Sequence, residues 1–350
     1  MKVFVYLGHP AHYYLFKNVL SKLTSQGVEI VIACKHKDVL EELLLSSGYE
    51  YTNVYPKQRG RGKIGILVSM LEKDRNIFAI VRAVKPDVLI GTSVEITHVG
   101  RLLRIPSVVF NEDDYDVVPE FSWLAYPLAT AIVAPQSCRM GRWNRKTTFY
   151  KGYHELAYLH PNVFRPDRSL ASEYAGNDPY ALIRLSALGA YHDVSVRGLT
   201  EKSCLELIAV LQSNVRVWIS AEIELPDSLK SYQIKLPACR LHDVMAYASM
   251  YIGDSQTMAC EAAVLGVPSF RINDFVRRIG YLDELEDVYQ LTYGFKPADA
   301  RRMIQAVRDT LNMPQRESIW QERRRRMLVE MVDVNAVMVN AIEQVVRQWK

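Results

Sequence analysis

The stretch from Tyr251 to Pro268, YIGDSQTMACEAAVLGVP, carries the densest set of groups suited to chemistry in the 350-residue chain. Its opening residues read as a strand that delivers Gly253 and Asp254 into a tight turn. Ser255, Gln256 and Thr257 then fall where a helix begins and presents unpaired amides, a place that attracts phosphate oxygens. Glu261 lies within two turns of that end, and a carboxylate there can accept both hydrogen bonds of a ribose diol. The plainer alternative makes Ser255 an N-cap and Glu261 a solvated helix residue.

Two further clusters sit behind predicted strands of the first half. His9 and His12, in the loop Gly8-His9-Pro10-Ala11-His12, are imidazoles that titrate near working pH and are suited to general-base work. The alternative is a rigid loop shaped by Pro10, with His12 capping the helix. Glu112 and Asp113 belong to Asn111-Glu112-Asp113-Asp114-Tyr115-Asp116, where close carboxylates raise one another's pKa toward that of a working acid or base. Asp114 and Asp116 also satisfy D-x-D, a three-residue pattern that a metal site and an ordinary acidic loop share.

Positioning these groups requires parallel sheets, whose ligands gather at the carboxyl ends of the strands. Short β-branched runs alternate with helical periodicity: strand Val3 to Leu7, a helix with Leu15, Phe16, Val19, Leu20 and Leu23 at helical spacing, then strand Glu29 to Ala33. Helix Val39 to Leu45, strand Tyr51 to Val54, a basic glycine loop over Lys57 to Lys63 and a long helix to Val84 follow. Strands Val88 to Ile90, Ser107 to Phe110 and Ala131 to Ala134 complete a first Rossmann-like half. Pro161 to Asp178 lacks periodicity and reads as a linker. Strands Tyr180 to Leu185, Val215 to Ser220, Gln233 to Leu236, Met250 to Gly253 and Ser269 to Arg271, with intervening helices, form the second half. The expected domains are residues 1–165, 166–315 and a helical segment 316–350 that packs back toward the first.

Composition agrees with a chain folded throughout, with 49% hydrophobic and 23% charged residues. A net charge of +4 is far below that of a dedicated nucleic-acid binder, and no nucleic-acid-binding signature accompanies the basic clusters. Five cysteines without a C-x-x-C pair suit reduced thiols and give no zinc site. The opening MKVFVYLGHP lacks the pattern of a signal peptide, and the apolar stretch Leu124 to Pro135 is broken by Pro127, so a cytoplasmic protein is expected. Gln58-Arg-Gly-Arg-Gly-Lys63, followed by Ile64, Ile66, Leu67 and Val68, suits peripheral contact with an anionic inner membrane face. The run Arg323 to Arg326 reads as a solvated helix face.

GDSQTMACEAAVLGVP resembles the C-domain signature of the GT-B superfamily, which includes MurG-type glycosyltransferases and non-hydrolysing UDP-N-acetylglucosamine 2-epimerases. With GHPAH, KPDVLIGTS, HVGRLLRIPSVVFNEDD and KGYHELAYLHP, nearly the whole chain is similar to a prokaryotic domain-of-unknown-function family, DUF354. The resemblance implies an α/β chain of GT-B architecture: two Rossmann-like parallel-sheet domains facing across a cleft. It makes Glu261 the ribose-binding acid, places Ser255, Gln256 and Thr257 against the diphosphate or sugar, and sets Leu241 and His242 where backbone groups meet the base. Arg184, Ser186 and Gly189 resemble a glycine-containing phosphate loop in which Arg184 supplies charge to the leaving diphosphate. His192, with Asp193, contacts the diphosphate or braces that loop. Tyr153, His154 and Glu155 enter the cleft or fix the hinge, and Glu222 is a weaker candidate.

The function implied is transfer of a sugar from a nucleoside-diphosphate donor, UDP-linked, to a surface-polysaccharide or lipid-linked acceptor, with His9, His12, Glu112 or Asp113 as base. Neither metal nor separate cofactor is implied. A 2-epimerase or hydrolase acting on the nucleotide sugar could recruit Glu112 and His192. Against it, GHPAH replaces the arginine-bearing first loop of the epimerases, and Thr92 stands where their acidic Gly-Asp is expected. The third reading is a non-catalytic nucleotide-sugar-binding protein. Neither G-x-G-x-x-G behind the first strand nor G-x-x-x-x-G-K-[ST] occurs, which disfavours a dehydrogenase and a P-loop kinase.

Overall fold

A computed structural model describes residues 1–36, 38–55, 62–186 and 198–349. The chain divides into two compact units, Met1–Tyr158 with Val332–Lys350, and Leu159–Met331.

In the first unit the strands are β1 (Lys2–Leu7), β2 (Glu29–Lys35), β3 (Thr52–Tyr55), β4 (Val88–Gly91), β5 (Ser107–Phe110), β6 (Ala131–Pro135) and β7 (Thr147–Tyr150). Helices α1 (Pro10–Ser25), α2 (Asp38–Ser46), α3 (Gly62–Val84), α4 (Val94–Leu103), α5 (Pro119–Ala125) and α6 (Leu156–Leu159) connect and follow them. The sheet is parallel, in the order β3-β2-β1-β4-β5-β6-β7. Its central strands are buried on both faces, which is why VFVYL, VLIG and SVVF are almost continuously apolar. The chain runs outward from β1 to β3 and returns beside β1 as β4, with Val3 paired to Val88. That reversal is the topological switch point, where open parallel sheets leave a crevice at their carboxyl edge.

The second unit holds α7 (Arg168–Ala175), β8 (Tyr180–Leu185), α8 (Glu201–Leu211), β9 (Arg216–Ala221), α9 (Leu241–Ala246), β10 (Met250–Gly253) and α10 (Gln256–Leu265). It continues with β11 (Ser269–Ile272), α11 (Gly280–Asp287), β12 (Thr292–Phe295), α12 (Ala300–Leu311) and α13 (Arg316–Glu330). Its parallel sheet has the order β12-β11-β10-β8-β9, so the switch point lies between β8 and β10. One face packs Ile183, Ile252, Phe270 and Ile272 with the apolar sides of α8 and α12. The other carries a register row of Arg184, Gly253, Arg271 and Gly294 on four successive strands.

Several local expectations change. Gln233 to Leu236 is not a strand; only a single bridge joins Ile219 to Gln233. The segment assigned to a linker contains α7, whose N-cap Asp167 accepts from Ser169 N at 2.8 Å. The final stretch is two helices: α13 belongs to the second unit, and α14 (Val334–Trp349) to the first, where Asn335 Nδ2 donates to the Ala157 carbonyl at 2.9 Å.

The arginine run of α13 is solvated only in part: Arg325 and Arg326 are exposed, but several arginines of the helix turn back onto neighbouring helix ends. Arg324 Nε donates to the Val264 carbonyl at 2.7 Å, Arg326 to the Val288 carbonyl, and Arg316 Nη1 to the Leu311 carbonyl at 2.7 Å. These are orphan acceptors at the carboxyl ends of α10, α11 and α12, where positive charge also suits the helix dipole.

Candidate functional site

Polar groups converge at the switch point of each unit. In the second, Ser255 is the N-cap of α10 and its side chain accepts from Met258 N at 3.3 Å, as the capping alternative anticipated. The amides of Gln256 and Thr257 precede the intrahelical ladder on residues that are half-buried, a set of donors suited to an anion. Asp254 is the organiser that the motif reading passed over. Its buried Oδ1 accepts the Ser186 amide at 2.8 Å and the Ser186 hydroxyl. Its backbone carbonyl accepts Asn273 Nδ2 at 3.0 Å. The loops leaving β8, β10 and β11 are thereby tied together. Burial raises the Asp254 pKa, and the Ser186 hydrogen bonds oppose that rise. The signal was available: Asp254 is the first residue beyond the strand beside the switch point.

Glu261 and His242 are brought together, with His242 Nε2 3.0 Å from Glu261 Oε1 and both side chains buried. Leu241 opens α9 half-buried. Arg184 reaches sideways to β9, donating to Ser220 Oγ at 2.7 Å and pairing with Glu222. Gly189, His192 and Asp193 lie outside the described residues, as does most of the basic loop before α3, of which Val68 and Leu71 are exposed.

In the first unit His9, not His12, is the N-cap of α1: its Nδ1 accepts the Ala11 amide at 3.2 Å. Pro10 at the first helical position marks that boundary in the sequence. His12, one turn in, accepts the Gly8 amide on Nδ1 at 3.2 Å. An amide only donates, so in a neutral His12 ring Nδ1 carries the lone pair and Nε2 the proton; Thr92 Oγ1 lies against that edge of the ring, 2.9 Å from Nδ1 and 2.7 Å from Nε2. Thr92 follows β4, so the contact spans the switch point.

Glu112 and His154, behind β5 and β7, approach to 3.3 Å between Glu112 Oε2 and His154 Nδ1. Burial pushes the His154 pKa down to about 3, so its ring is neutral. Tyr153 and Glu155 flank it, both fully buried within the first unit. Asp113 is half-buried, and its backbone carbonyl accepts Asn111 Nδ2 at 2.6 Å. Arg139 bridges the D-x-D pair, contacting Asp114 at 3.3 Å and Asp116 at 3.2 Å. Among the described residues no group of three or more His, Cys, Asp or Glu is placed to hold a metal, and no helix is long and apolar enough to cross a membrane.

Two parallel α/β units of seven and five strands define the GT-B fold, and solved structures of that class superpose over the whole chain. UDP-GlcNAc 2-epimerase from Neisseria meningitidis bound to UDP-GlcNAc matches with a TM-score of 0.69 at 12% identity, over 98% of this chain and 100% of that one. The S. aureus MnaA-UDP structure gives 0.67 at 11%, over 99% and 97%. The spinosyn rhamnosyltransferase SpnG with spinosyn aglycone gives 0.65 at 16%, over 98% and 100%. Identities this low convey the fold. Residues 1–346 match the family described as "Protein of unknown function (DUF354)", and the chain belongs to it. No curated protein matches the chain.

Proposed function

We propose that this protein is a glycosyltransferase that moves a sugar from a nucleoside-diphosphate donor, UDP-linked, to a hydroxyl of a surface-polysaccharide or lipid-linked acceptor. The observation that carries the reading is the Asp254–Ser186 tie at the switch point of the second unit, beside the first-turn amides of α10. It fixes phosphate-seeking donors on rigid elements, as stabilisation of a leaving diphosphate requires. His242 orients Glu261, the acid assigned to the ribose, and Arg184 adds positive charge. His12 is the favoured base: an acceptor hydroxyl that takes the place of the Gly8 amide at Nδ1 gives its proton to the lone pair there, while Thr92 holds the other side of the ring. His9 serves the helix end. Attack of the deprotonated hydroxyl on the anomeric carbon breaks the bond to the diphosphate, which leaves carrying the electron pair. With Arg139 occupying Asp114 and Asp116, the reaction is assigned no metal.

The neighbours bound to UDP-GlcNAc and UDP support a nucleotide-sugar ligand and keep a 2-epimerase as the second reading, for which Glu112 beside His154 would be the acid–base group. Thermal stabilisation by a panel of nucleoside-diphosphate sugars, followed by assay of released diphosphate with EDTA present, tests both. Glu261→Ala is expected to weaken donor binding about tenfold to a hundredfold. His12→Ala is expected to lower turnover about a hundredfold or more with donor affinity kept. Epimerised donor formed without an acceptor would replace the first reading by the second; tight binding with no turnover would leave a binding protein.

A further inference from the structure

The first unit exposes large apolar side chains on one run of neighbouring elements. Leu102 on α4 is 70% exposed and Trp123 on α5 is 59% exposed, with Leu124 and Leu128 beside it also exposed. α4 and α5 pack together. The Leu124 backbone acts on His98, so Leu102, one turn beyond His98, lies on the side of α4 that meets α5. At the far end of α4, Trp349, half exposed, donates its indole N–H to the Arg104 carbonyl at 3.2 Å. Exposed leucines and tryptophans gathered in this way mark an interaction surface.

The charge around them selects the partner. Arg101 and Arg104 bracket Leu102 in the chain, Arg142 stands beside Trp123, and Arg145 follows Arg142 by three residues; all four are exposed. Arg142 lies on the Trp123 ring, its Cζ 3.8 Å from the centroid, and 4.7 Å from that of Trp143. The exposed carboxylate on α4, α5 and residues 141–146 is Glu120 alone, Glu95 being buried. An indole held against a guanidinium sets an apolar body and a cation at one level, which is the profile of a lipid headgroup layer. Aliphatic Leu102, Leu124 and Leu128 suit acyl chains better than a polar polymer, and four exposed arginines against one exposed carboxylate on these segments suit anionic headgroups.

We infer that the α4–α5 face, centred on Trp123 and Arg142, docks this protein peripherally on an anionic lipid surface. It is made of other residues than the basic segment before α3 that the sequence suggested for that role, and it does not depend on the proposed transfer, because vesicle binding needs no donor. Co-sedimentation of the full chain with phosphatidylcholine vesicles, with and without phosphatidylglycerol, tests it. Binding is expected only to the anionic vesicles and is expected to fall with salt. Arg142→Gln should weaken it about fivefold, the effect of one cation at such a surface. Trp123→Ala with Leu124→Ser should weaken it more than tenfold, with an unchanged melting temperature because both side chains are exposed. Equal binding to neutral vesicles, no binding to either, or full binding by both variants would overturn the inference. So would a wild-type dimer that the double variant converts to monomer, since the face would then be covered by a second copy.

Discussion

His154 is an imidazole that the fold keeps neutral, and its cost depends on pH. Its pKa falls to about 3 through burial, from an ordinary 6.5. Between those values the unfolded chain binds a proton that the folded chain refuses, so stability is full above the ordinary value and declines as the pH drops through the window. The slope for one proton is about 1.4 kcal/mol per pH unit. Chemical denaturation of wild type and His154→Gln at pH 7 and pH 5 should therefore show the wild type losing more stability than the variant, by roughly 2 kcal/mol. Parallel losses would mean that His154 titrates normally and is accessible to water. The same residue shows what composition can and cannot convey: Tyr153-His154-Glu155 was visible as a polar cluster behind a strand, but its burial depends on packing by α6 and α14, which no local pattern encodes.

At the scale of elements, the row Arg184, Gly253, Arg271 and Gly294 explains why a glycine sits inside strand β12, where it ordinarily weakens pairing. Arg271 is fully buried, and a Cβ on Gly294 would stand 2.8 Å from Arg271 Nη2 and 3.1 Å from Val276 Cγ1. The guanidinium has no room to retreat, so Gly294→Ala should destabilise the second unit by about 1–3 kcal/mol, measured by urea denaturation. Gly294→Ala combined with Arg271→Met should recover part of that loss if the arginine is the obstacle. Strand and helix identities around this row were largely legible, because β8, β10 and β11 are apolar runs bounded by turn residues. β12 was not, since its TYGF has too few apolar residues to stand out until Arg271 needs a glycine beside it. The contacts of Arg324 and Arg326 with helix ends escaped the sequence for a related reason. Their acceptors on α10 and α11 lie 60 and 38 residues away in the chain, beyond the reach of periodicity.

The whole molecule differs from a simple succession of two halves because its last helix belongs to its first unit. The apolar positions of α14 repeat at helical spacing, which announces a buried face without saying what covers it. In the structure Val334, Met338, Val339, Ile342, Val345 and Val346 are buried against the first unit, where α14 packs on α1 and on β4 to β7. Burial of six such side chains contributes roughly 10 kcal/mol as an upper figure, comparable to the entire stability of an ordinary domain. Truncation after Met331 is therefore expected to abolish or greatly lower the thermal transition of the first unit while leaving that of Leu159–Met331 close to its wild-type temperature, two events that differential scanning calorimetry can separate. A synthetic peptide of residues 332–350 added in excess should restore the lost transition in proportion to its concentration, as binding to the folded form requires. If truncation shifted both transitions equally, the two units would not be the independent folding bodies that their separate sheets and cores describe.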